Sequence, residues 1–332
     1  MQERPLLEFS SMSGTEPGQT SDEPMRQQAS KQYAIPQPAC DPSSAEPRRS
    51  CLGLLLQVMP LLLVLVIDLV GCASMATQRL AGSISSAMLN QDDPATVLAG
   101  APAYLLLLDG LINDNPQDLS LLIAGARLYQ AFGAGLVKDP ERSQRLTAKS
   151  RDYARRAMCI AEPELCHAEQ KDFETFSRAV EKIQVADLDV LYAYGTSWAG
   201  WIQVRTNDWH ALAELPRVEA LLERVIALDP GYDRGRSQLY LGVMRSQLPQ
   251  AMGGKPETGR KHFELALQYS GGRDLMAKVE YARHYARLVF DQTLHDRLLH
   301  EVLEADPVEP NLTLSNVLAQ LEARRLLDDT YF

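Results

Sequence analysis

The sequence contains none of the short motifs by which many enzymes and metal proteins are recognised. It has no Gly-x-Ser-x-Gly, no His-Glu-x-x-His, no GxGxxG and no Cys-x-x-Cys. Its six histidines lack metal-ligand spacing, and His295 and His300, five residues apart, are expected on a solvated helix face. The formal net charge of −10 argues against nucleic-acid partners, which require a basic face. We therefore expect no catalytic residue, no metal, no cofactor and no nucleic acid.

Signals for β-strands are also missing. We find no alternating apolar run and no Asn-Gly hairpin turn. Beyond residue 72, apolar residues recur at helical spacing, as in Leu105, Leu108 and Ile112. Proline after an acidic residue or asparagine interrupts this pattern, and proline stops a helix. The interruptions are Asn115-Pro116, Glu162-Pro163, Asp229-Pro230 and Asp306-Pro307. The pattern predicts an all-α protein.

The prolines of these interruptions are regularly spaced. The spacing from Pro116 to Pro230 is close to three units of about 38 residues, and the spacing from Pro230 to Pro307 is close to two such units. A unit of this length is slightly longer than the tetratricopeptide repeat. Leu241-Gly242 fits the Leu-Gly pair of that repeat, and Phe263 fits its second helix. Arg283 occupies a position where the repeat has glycine. We therefore expect an α-solenoid of degenerate tetratricopeptide-like helical hairpins.

An apolar run near the N-terminus is typical of a bacterial lipoprotein signal. Arg48 and Arg49 precede a run of mostly leucine and valine that ends in Leu-Val-Gly-Cys at Cys72. Cys72 is the predicted lipid-attachment site. Asp68 is unusual so close to a lipobox, so an uncleaved signal anchor and a buried core helix remain alternatives.

The signal defines the predicted organisation of the chain. Residues 1–47 are rich in Pro, Ser, Gln and Glu and are expected either to be a disordered leader or to lie before the true start of the protein, near Arg48. Residues 48–71 form the predicted signal peptide, residues 72–77 a lipid tether and residues 78–332 the helical domain. Export would place the protein in the periplasm, anchored to the membrane by lipid. Ala73 after the cysteine favours the outer membrane under the rule known for enteric bacteria.

One pair of cysteines remains in the predicted helical domain. Cys159 and Cys166 are seven positions apart across Glu162-Pro163. An oxidising periplasm would allow them to form a disulfide. Two buried reduced thiols are the alternative.

Several segments in a consistent order resemble a transporter family. These segments are GGKP at 253–256, KHFELAL at 261–267, SGGR at 270–273, YARHYAR at 281–287 and RRLLDD at 324–329. Together with the lipobox, they resemble the T-component of the TRAP (tripartite ATP-independent periplasmic) transporters. The resemblance spans roughly residues 72–332.

The resemblance implies a function without enzymatic activity. A T-component is expected to be a periplasmic lipoprotein that forms a homotrimer and docks the transporter's substrate-binding protein. It is expected to pass a small organic or hydrophobic ligand through a pore. A general tetratricopeptide-like envelope scaffold is the first alternative. An envelope hydrolase is the second, and it would need a nucleophile with a base partner.

Two groups of residues are candidates for a ligand or partner surface. All three tryptophans lie close together in the sequence, around small residues, which fits either core packing or the lining of an apolar groove. Gly253 and Gly254 fit either an ordered turn or a rim element that faces a partner. The candidate lining residues are Tyr194, Trp198, Trp201, Met252, Gly253, Gly254, Tyr281 and Tyr285.

Overall fold

The computed structural model describes residues 82–332. The predicted leader, signal peptide and tether, including Cys72, lie outside the described residues. Within residues 82–332 the regular elements are all helices, which confirms the all-α prediction. Helix α1 is described over residues 82–89. The later helices are α2 Pro94–Asp114, α3 Leu119–Gly135, α4 Pro140–Ala161, α5 Pro163–Ala168, α6 Phe173–Lys182, α7 Leu188–Gln203, α8 Trp209–Leu212, α9 Leu215–Leu228, α10 Tyr232–Arg245, α11 Pro256–Tyr269, α12 Leu275–Glu280, α13 Gln292–Glu304 and α14 Thr313–Leu327.

Local sequence signals explain where many of these helices begin and end. Asp93 caps α2, because its carboxylate accepts hydrogen bonds from the Ala95 and Thr96 amides at 2.9 and 3.1 Å. Asp139 caps α4 in the same way, with Pro140 in the first helical position. The predicted proline interruptions all fall between helices, after α2, α4, α9 and α13.

The helices pair into antiparallel hairpins. In the α10–α11 pair, Gly242 lies against Phe263, and Ser246 lies against Gly259. The same reversed order appears between α3 and α4, where Ala126 meets Ser150 and Gly133 meets Leu146. It also appears from α12 into α13, where Lys278 meets Glu301 and Arg287 meets His295. This arrangement is consistent with the expected stack of tetratricopeptide-like hairpins.

The buried apolar side chains form two clusters. The first is built mainly from α2 to α9. The second is built from α11 to α14 and includes Phe263, Tyr281 and Leu299. Helix α10 packs between the two, since Leu241 belongs to the first cluster while Leu239 and Val243 pack on the second.

A left-handed turn opens α10 at this junction. Asp233, Arg234 and Gly235 have φ angles of 47°, 58° and 76°. The left-handed conformation costs roughly 1–2 kcal/mol for each non-glycine residue, so contacts elsewhere must hold it. The Tyr192 hydroxyl donates to Asp233 at 2.5 Å, and Arg234 forms an ion pair with Glu309 at 3.3 Å. These contacts join the turn to α7 on one side and to the α13–α14 connection on the other.

Helix α12 continues as a π-helix over Tyr281–Ala286. Arg283, at the position where the repeat has glycine, lies in this segment and reaches Glu280 at 2.9 Å and Glu322 at 2.5 Å. A π-helix inside an α-helix is rare and is not signalled by apolar periodicity. The sequence pattern therefore did not predict it.

The prediction that His295 lies on a solvated helix face is wrong. Its side chain is 2 % exposed, whereas His300 is exposed as expected. His295 lies 5.0 Å from the Phe332 ring and accepts a hydrogen bond from Arg287 Nε at 3.3 Å. The C-terminal residues fold back over α13 and cover it, a long-range contact that the local pattern cannot show.

The two cysteines of the described domain are bonded to each other. Cys159 lies near the end of α4 and Cys166 lies in α5, with 4.9 Å between their Cα atoms. The bond crosses the turn at Glu162-Pro163. That the two thiols are oxidised to this disulfide in the native compartment stays a prediction, and titration of free thiols tests it.

Candidate partner-binding surface

The aromatic residues of α7 lie between helices. Tyr194 and Trp198 are buried, with exposed fractions of 1 % and 0 %, and Trp201 is half-buried. The Trp198 ring meets Phe176 edge-on at 6.1 Å and lies 5.2 Å from the Tyr194 ring. This burial agrees with the core-packing alternative, and a lining role for these three residues stays a prediction.

A half-buried cation, Arg151, lies between α4 and the aromatic residues of α7. The Arg151 guanidinium lies 4.2 Å from the Trp198 ring centre and 4.5 Å from that of Trp201. It also forms an ion pair with Glu169 at 3.4 Å. Burial lowers the pKa of Arg151 and raises the pKa of Tyr194 well above its usual value. The cluster is a closed packing unit that joins α4 to α7.

Tyr281 and Tyr285 have a similar setting in the second cluster. Both are buried, and the Tyr281 ring stacks on Phe263 at 5.0 Å. The Tyr285 hydroxyl donates to Glu257 at 2.8 Å, which ties the π-helix to the start of α11. Burial, assisted by Glu264, raises the pKa of Tyr281 to about 12, so this phenol is neutral near pH 7.

The connection from α10 to α11 exposes the apolar side chains of Met252 and Leu248 to solvent. Met252 is 68 % exposed at the end of a short 3₁₀ turn. Gly253 follows with φ of 85°, and a Cβ at Gly254 would lie 1.8 Å from the Leu248 carbonyl oxygen. Both glycines are therefore required by the turn itself. The Lys255 amide donates to the Arg245 carbonyl at 3.3 Å and closes the connection.

Met252 is part of a row of exposed residues that sequence analysis missed. Helices α7, α10 and α12 run in the same direction, because Tyr192 meets Asp233 and Arg236 meets Asp274, each near the start of its helix. The connections that follow these helices therefore lie at one edge of the stack. Leu248 and Val289 are also exposed in these connections, at 46 % and 37 %. The most exposed apolar side chain after each of the three helices is Trp209, at the start of α8, then Met252 and Phe290, and we call these three residues the hairpin-turn edge.

The side chains of the hairpin-turn edge are open to solvent. Trp209 is 82 % exposed and Phe290 is 76 % exposed. Phe290 has φ of 58°, which a phenylalanine rarely adopts, and its ring stacks with that of Tyr331 at 6.3 Å. No sequence signal separated Trp209 from the buried Trp198 eleven residues earlier. The only sequence feature that could have indicated the exposure of Trp209 is its position near a predicted helix end.

An open cavity of about 500 Å³ lies between α2 and α4. Asp109 occupies its wall, where it accepts hydrogen bonds from Tyr129 and Tyr153 at 2.8 and 2.6 Å and pairs with Lys149. Burial and the Asp109 carboxylate raise the pKa of Tyr153. A neutral phenol and a paired lysine supply no activated nucleophile.

Neither a group of metal ligands nor a histidine-based nucleophile–base pair is found among residues 82–332. Within residues 82–332, no group of three or more His, Cys, Asp or Glu side chains could hold a metal. The histidine side-chain contacts in this range go to Gln238, Glu280, Asp296 and Arg287, not to a hydroxyl or a thiol. A nucleophile–base pair of the kind that the hydrolase alternative needs is therefore not formed by these histidines.

Comparison with known families identifies the chain. A family model described as the TRAP transporter T-component matches residues 90–332. The chain belongs to the TRAP transporter T-component family. The matched segment contains all the helices from α2 to α14, and therefore the whole hairpin stack and the hairpin-turn edge. No curated protein matches the sequence.

Membership of the T-component family gives a coarse function. It supports an accessory role in a TRAP-type transporter and association with the other components of that transporter, such as the substrate-binding protein. It also favours a location in the periplasm or cell envelope and a non-enzymatic role in transport.

Proposed function

We propose that this T-component is a lipid-anchored periplasmic subunit, without enzymatic activity, that binds its substrate-binding protein through the hairpin-turn edge. The observation that carries the proposal is the row formed by Trp209, Met252 and Phe290, which successive connections present on one side. Large apolar side chains that are mostly exposed to water are unfavourably solvated, and burial in an interface removes that cost. Family membership supplies the class of partner.

The residue types at the hairpin-turn edge suit a protein partner. Tryptophan, tyrosine and arginine carry much of the binding energy in protein interfaces, and methionine adapts to irregular surfaces. Tyr331 stacks on Phe290, and Arg287 lies 4.6 Å from the Tyr331 ring centre. The partner would bury an aromatic cluster at one end of the row and a single tryptophan at the other.

Anchoring through Cys72 is the second part of the proposal. The basic pair, the apolar run and the Leu-Val-Gly-Cys ending support it, although Cys72 precedes the described residues. Acyl chains on Cys72 would hold the protein at the membrane, with the outer membrane favoured by Ala73. Homotrimer assembly and passage of a small organic or hydrophobic ligand through a pore are taken from the family resemblance.

Binding to the substrate-binding protein from the same genome tests the docking surface. Trp209→Ala and Phe290→Ala should each weaken binding about tenfold or more, as expected for the loss of a central aromatic side chain. Val185→Ala is the matched control, because Val185 is 64 % exposed but lies before α7 at the opposite edge. Calorimetry with and without the transported ligand would measure the change. Equal binding by all variants would contradict the docking surface.

A general envelope scaffold remains the second candidate. The hairpin-turn edge would suit other partners for the same physical reasons. Absence of binding to every substrate-binding protein of the genome, in any ligand state, would favour it.

Acyl labelling tests the anchor. Cys72→Ser should give an unprocessed precursor that carries no labelled palmitate, whereas deletion of residues 1–47 should leave export and processing unchanged. Normal palmitate incorporation in the Cys72→Ser protein would exclude this lipid-attachment site.

A further inference from the structure

Helix α2 leaves an apolar face uncovered. Within residues 82–332 it is the one helix long and apolar enough to cross a membrane by length and composition, yet 28 % of its most apolar window is buried. Leu106 is 71 % exposed, and Leu98, Leu107 and Tyr104 are also exposed. The opposite side of α2, including Leu105 and Ile112, packs into the core and so fixes which face is outward.

Residues 94–108, the first 15 of the 21 residues of α2, carry no charge. Charged residues make up 23 % of the chain, but the only two within residues 82–108 are Asp92 and Asp93. Asp93 is used as the cap of α2. Asp109, the next charged residue, is turned inward to Tyr129 and Tyr153. Asp114, exposed at the last position of α2, adds a charge at the far end of the helix, so the outward face is uncharged over residues 94–108 and the apolar contact is confined to that stretch.

The position of α2 relative to the predicted lipid site indicates what covers this face. Ten residues separate Cys72 from Gly82, a span of at most about 35 Å even if fully extended. The α1–α2 layer is therefore the part of the described domain closest in sequence to the bilayer. A tethered apolar face meets that bilayer at high effective concentration, so weak affinity is enough.

We propose that the exposed face of α2 lies on the lipid bilayer, with Leu98, Leu106 and Leu107 in contact with the acyl-chain boundary. The inference rests on the proposed lipid anchor at Cys72. Neither end of α2 carries a basic residue, so insertion depends on apolar contact and not on anionic headgroups. Helix α2 packs against α3 and α14, and none of the three residues of the hairpin-turn edge belongs to it.

A fluorescent probe on α2 tests the contact. The processed, lipidated Leu106→Cys protein has one reactive thiol, because cleavage before Cys72 removes Cys40 and Cys51, Cys72 is acylated and Cys159 is bonded to Cys166. It would be labelled with an environment-sensitive fluorophore and reconstituted in phosphatidylcholine vesicles with or without spin-labelled quencher lipid. Val185→Cys, in an exposed position far from α2 in sequence, is the matched control. Melting curves of both variants would confirm that they are folded.

If α2 contacts the bilayer, the emission maximum of the label at position 106 should shift to shorter wavelength, and the quencher lipid should remove most of its fluorescence. The label at position 185 should keep its fluorescence in the presence of the quencher lipid. Adding anionic phosphatidylglycerol or raising the salt concentration should leave the quenching at position 106 unchanged. Flotation with the vesicles, measured on the same samples, reports the anchor separately.

The outcomes separate the contact from the anchor. Protein that floats without quenching at position 106 overturns the α2 contact alone. Protein that does not float overturns the anchor and the contact together. A cross-link between two copies of the unlabelled Leu106→Cys protein, without quenching of the labelled one, would overturn the bilayer contact and assign the face to a second copy.

Discussion

Gly242 and Phe263 make a contact that leaves no room for a side chain at residue 242. A Cβ built on Gly242 would lie 2.9 Å from the nearest ring atom of Phe263, closer than real Cβ contacts. The pair lies at the centre of the α10–α11 hairpin, and Phe263 is fully buried. Close approach of these two helices is therefore the reason that glycine occupies this position.

Gly242→Leu should destabilise the fold by about 1–3 kcal/mol, because the larger side chain overpacks the hairpin. Gly135→Leu is the control, since a Cβ added at Gly135, the last residue of α3, would have no atom within 4 Å. The control should change the free energy of unfolding by no more than about 0.5 kcal/mol. Urea denaturation measures both, and equal losses would contradict the tight contact.

The two neighbouring tryptophans of α7 should respond differently to truncation. Trp198→Ala should cost about 3–5 kcal/mol of stability, as for a large aromatic side chain removed from a core. Trp201→Ala should cost less, because Trp201 is only half-buried and stacks between Arg151 and Arg205. Melting and binding of the substrate-binding protein would be measured on the same samples. Weakened binding by Trp201→Ala with unchanged stability would instead support a lining role.

The bond between Cys159 and Cys166 should stabilise the domain modestly. A loop this short should contribute less than the ~3 kcal/mol expected for a 15-residue loop. The mature domain without Cys72, purified from an oxidising compartment, should show no free thiol when unfolded without reductant. Two reactive thiols under those conditions would refute the bond. The Cys159→Ser/Cys166→Ser double variant should melt slightly below the oxidised protein and close to the reduced one.

His262 should make the stability of the α10–α11 hairpin depend on pH. Its ring contacts Gln238 at 2.7 Å, and burial together with the nearby Arg245 lowers the pKa of His262. As the pH falls below the ordinary histidine value of about 6.5, the unfolded chain takes up a proton that the folded chain resists. The contribution of His262 is thus complete above that value and is lost at lower pH.

Replacement of His262 should remove this part of the pH dependence. The free energy of unfolding would be compared at about pH 7.5 and about pH 5.5 for the native chain, for His262→Asn and for His300→Asn, whose side chain is exposed. His262→Asn should lose less stability on acidification than the other two proteins. Identical losses in all three would contradict the inference.

Local sequence signals predicted the helical class and explain many of the helix ends, but not the π-helical segment Tyr281–Ala286. Asp93 and Asp139 cap helices through hydrogen bonds to amides two or three residues away, and Pro163 and Pro230 separate helices through their own fixed geometry. The Leu241-Gly242 pair indicated hairpin packing for a similar reason, since the helical period places it on one face. The resemblance to the T-component family came from short segments in order, and the family match over residues 90–332 confirmed it.

Only the tertiary structure decided which side chains are open to a partner. Trp198 and Trp209 are of the same type and close in the chain, yet one is fully buried and the other is 82 % exposed. His295 is buried because the C-terminal Phe332 returns to cover it, and Asp233 is held in a left-handed turn by Tyr192. In these last two cases the deciding contact joins residues at least 37 positions apart, as Phe332 and His295 are. Helical periodicity extends over a few turns, so it determines which face of a helix is apolar but not which neighbour finally covers that face.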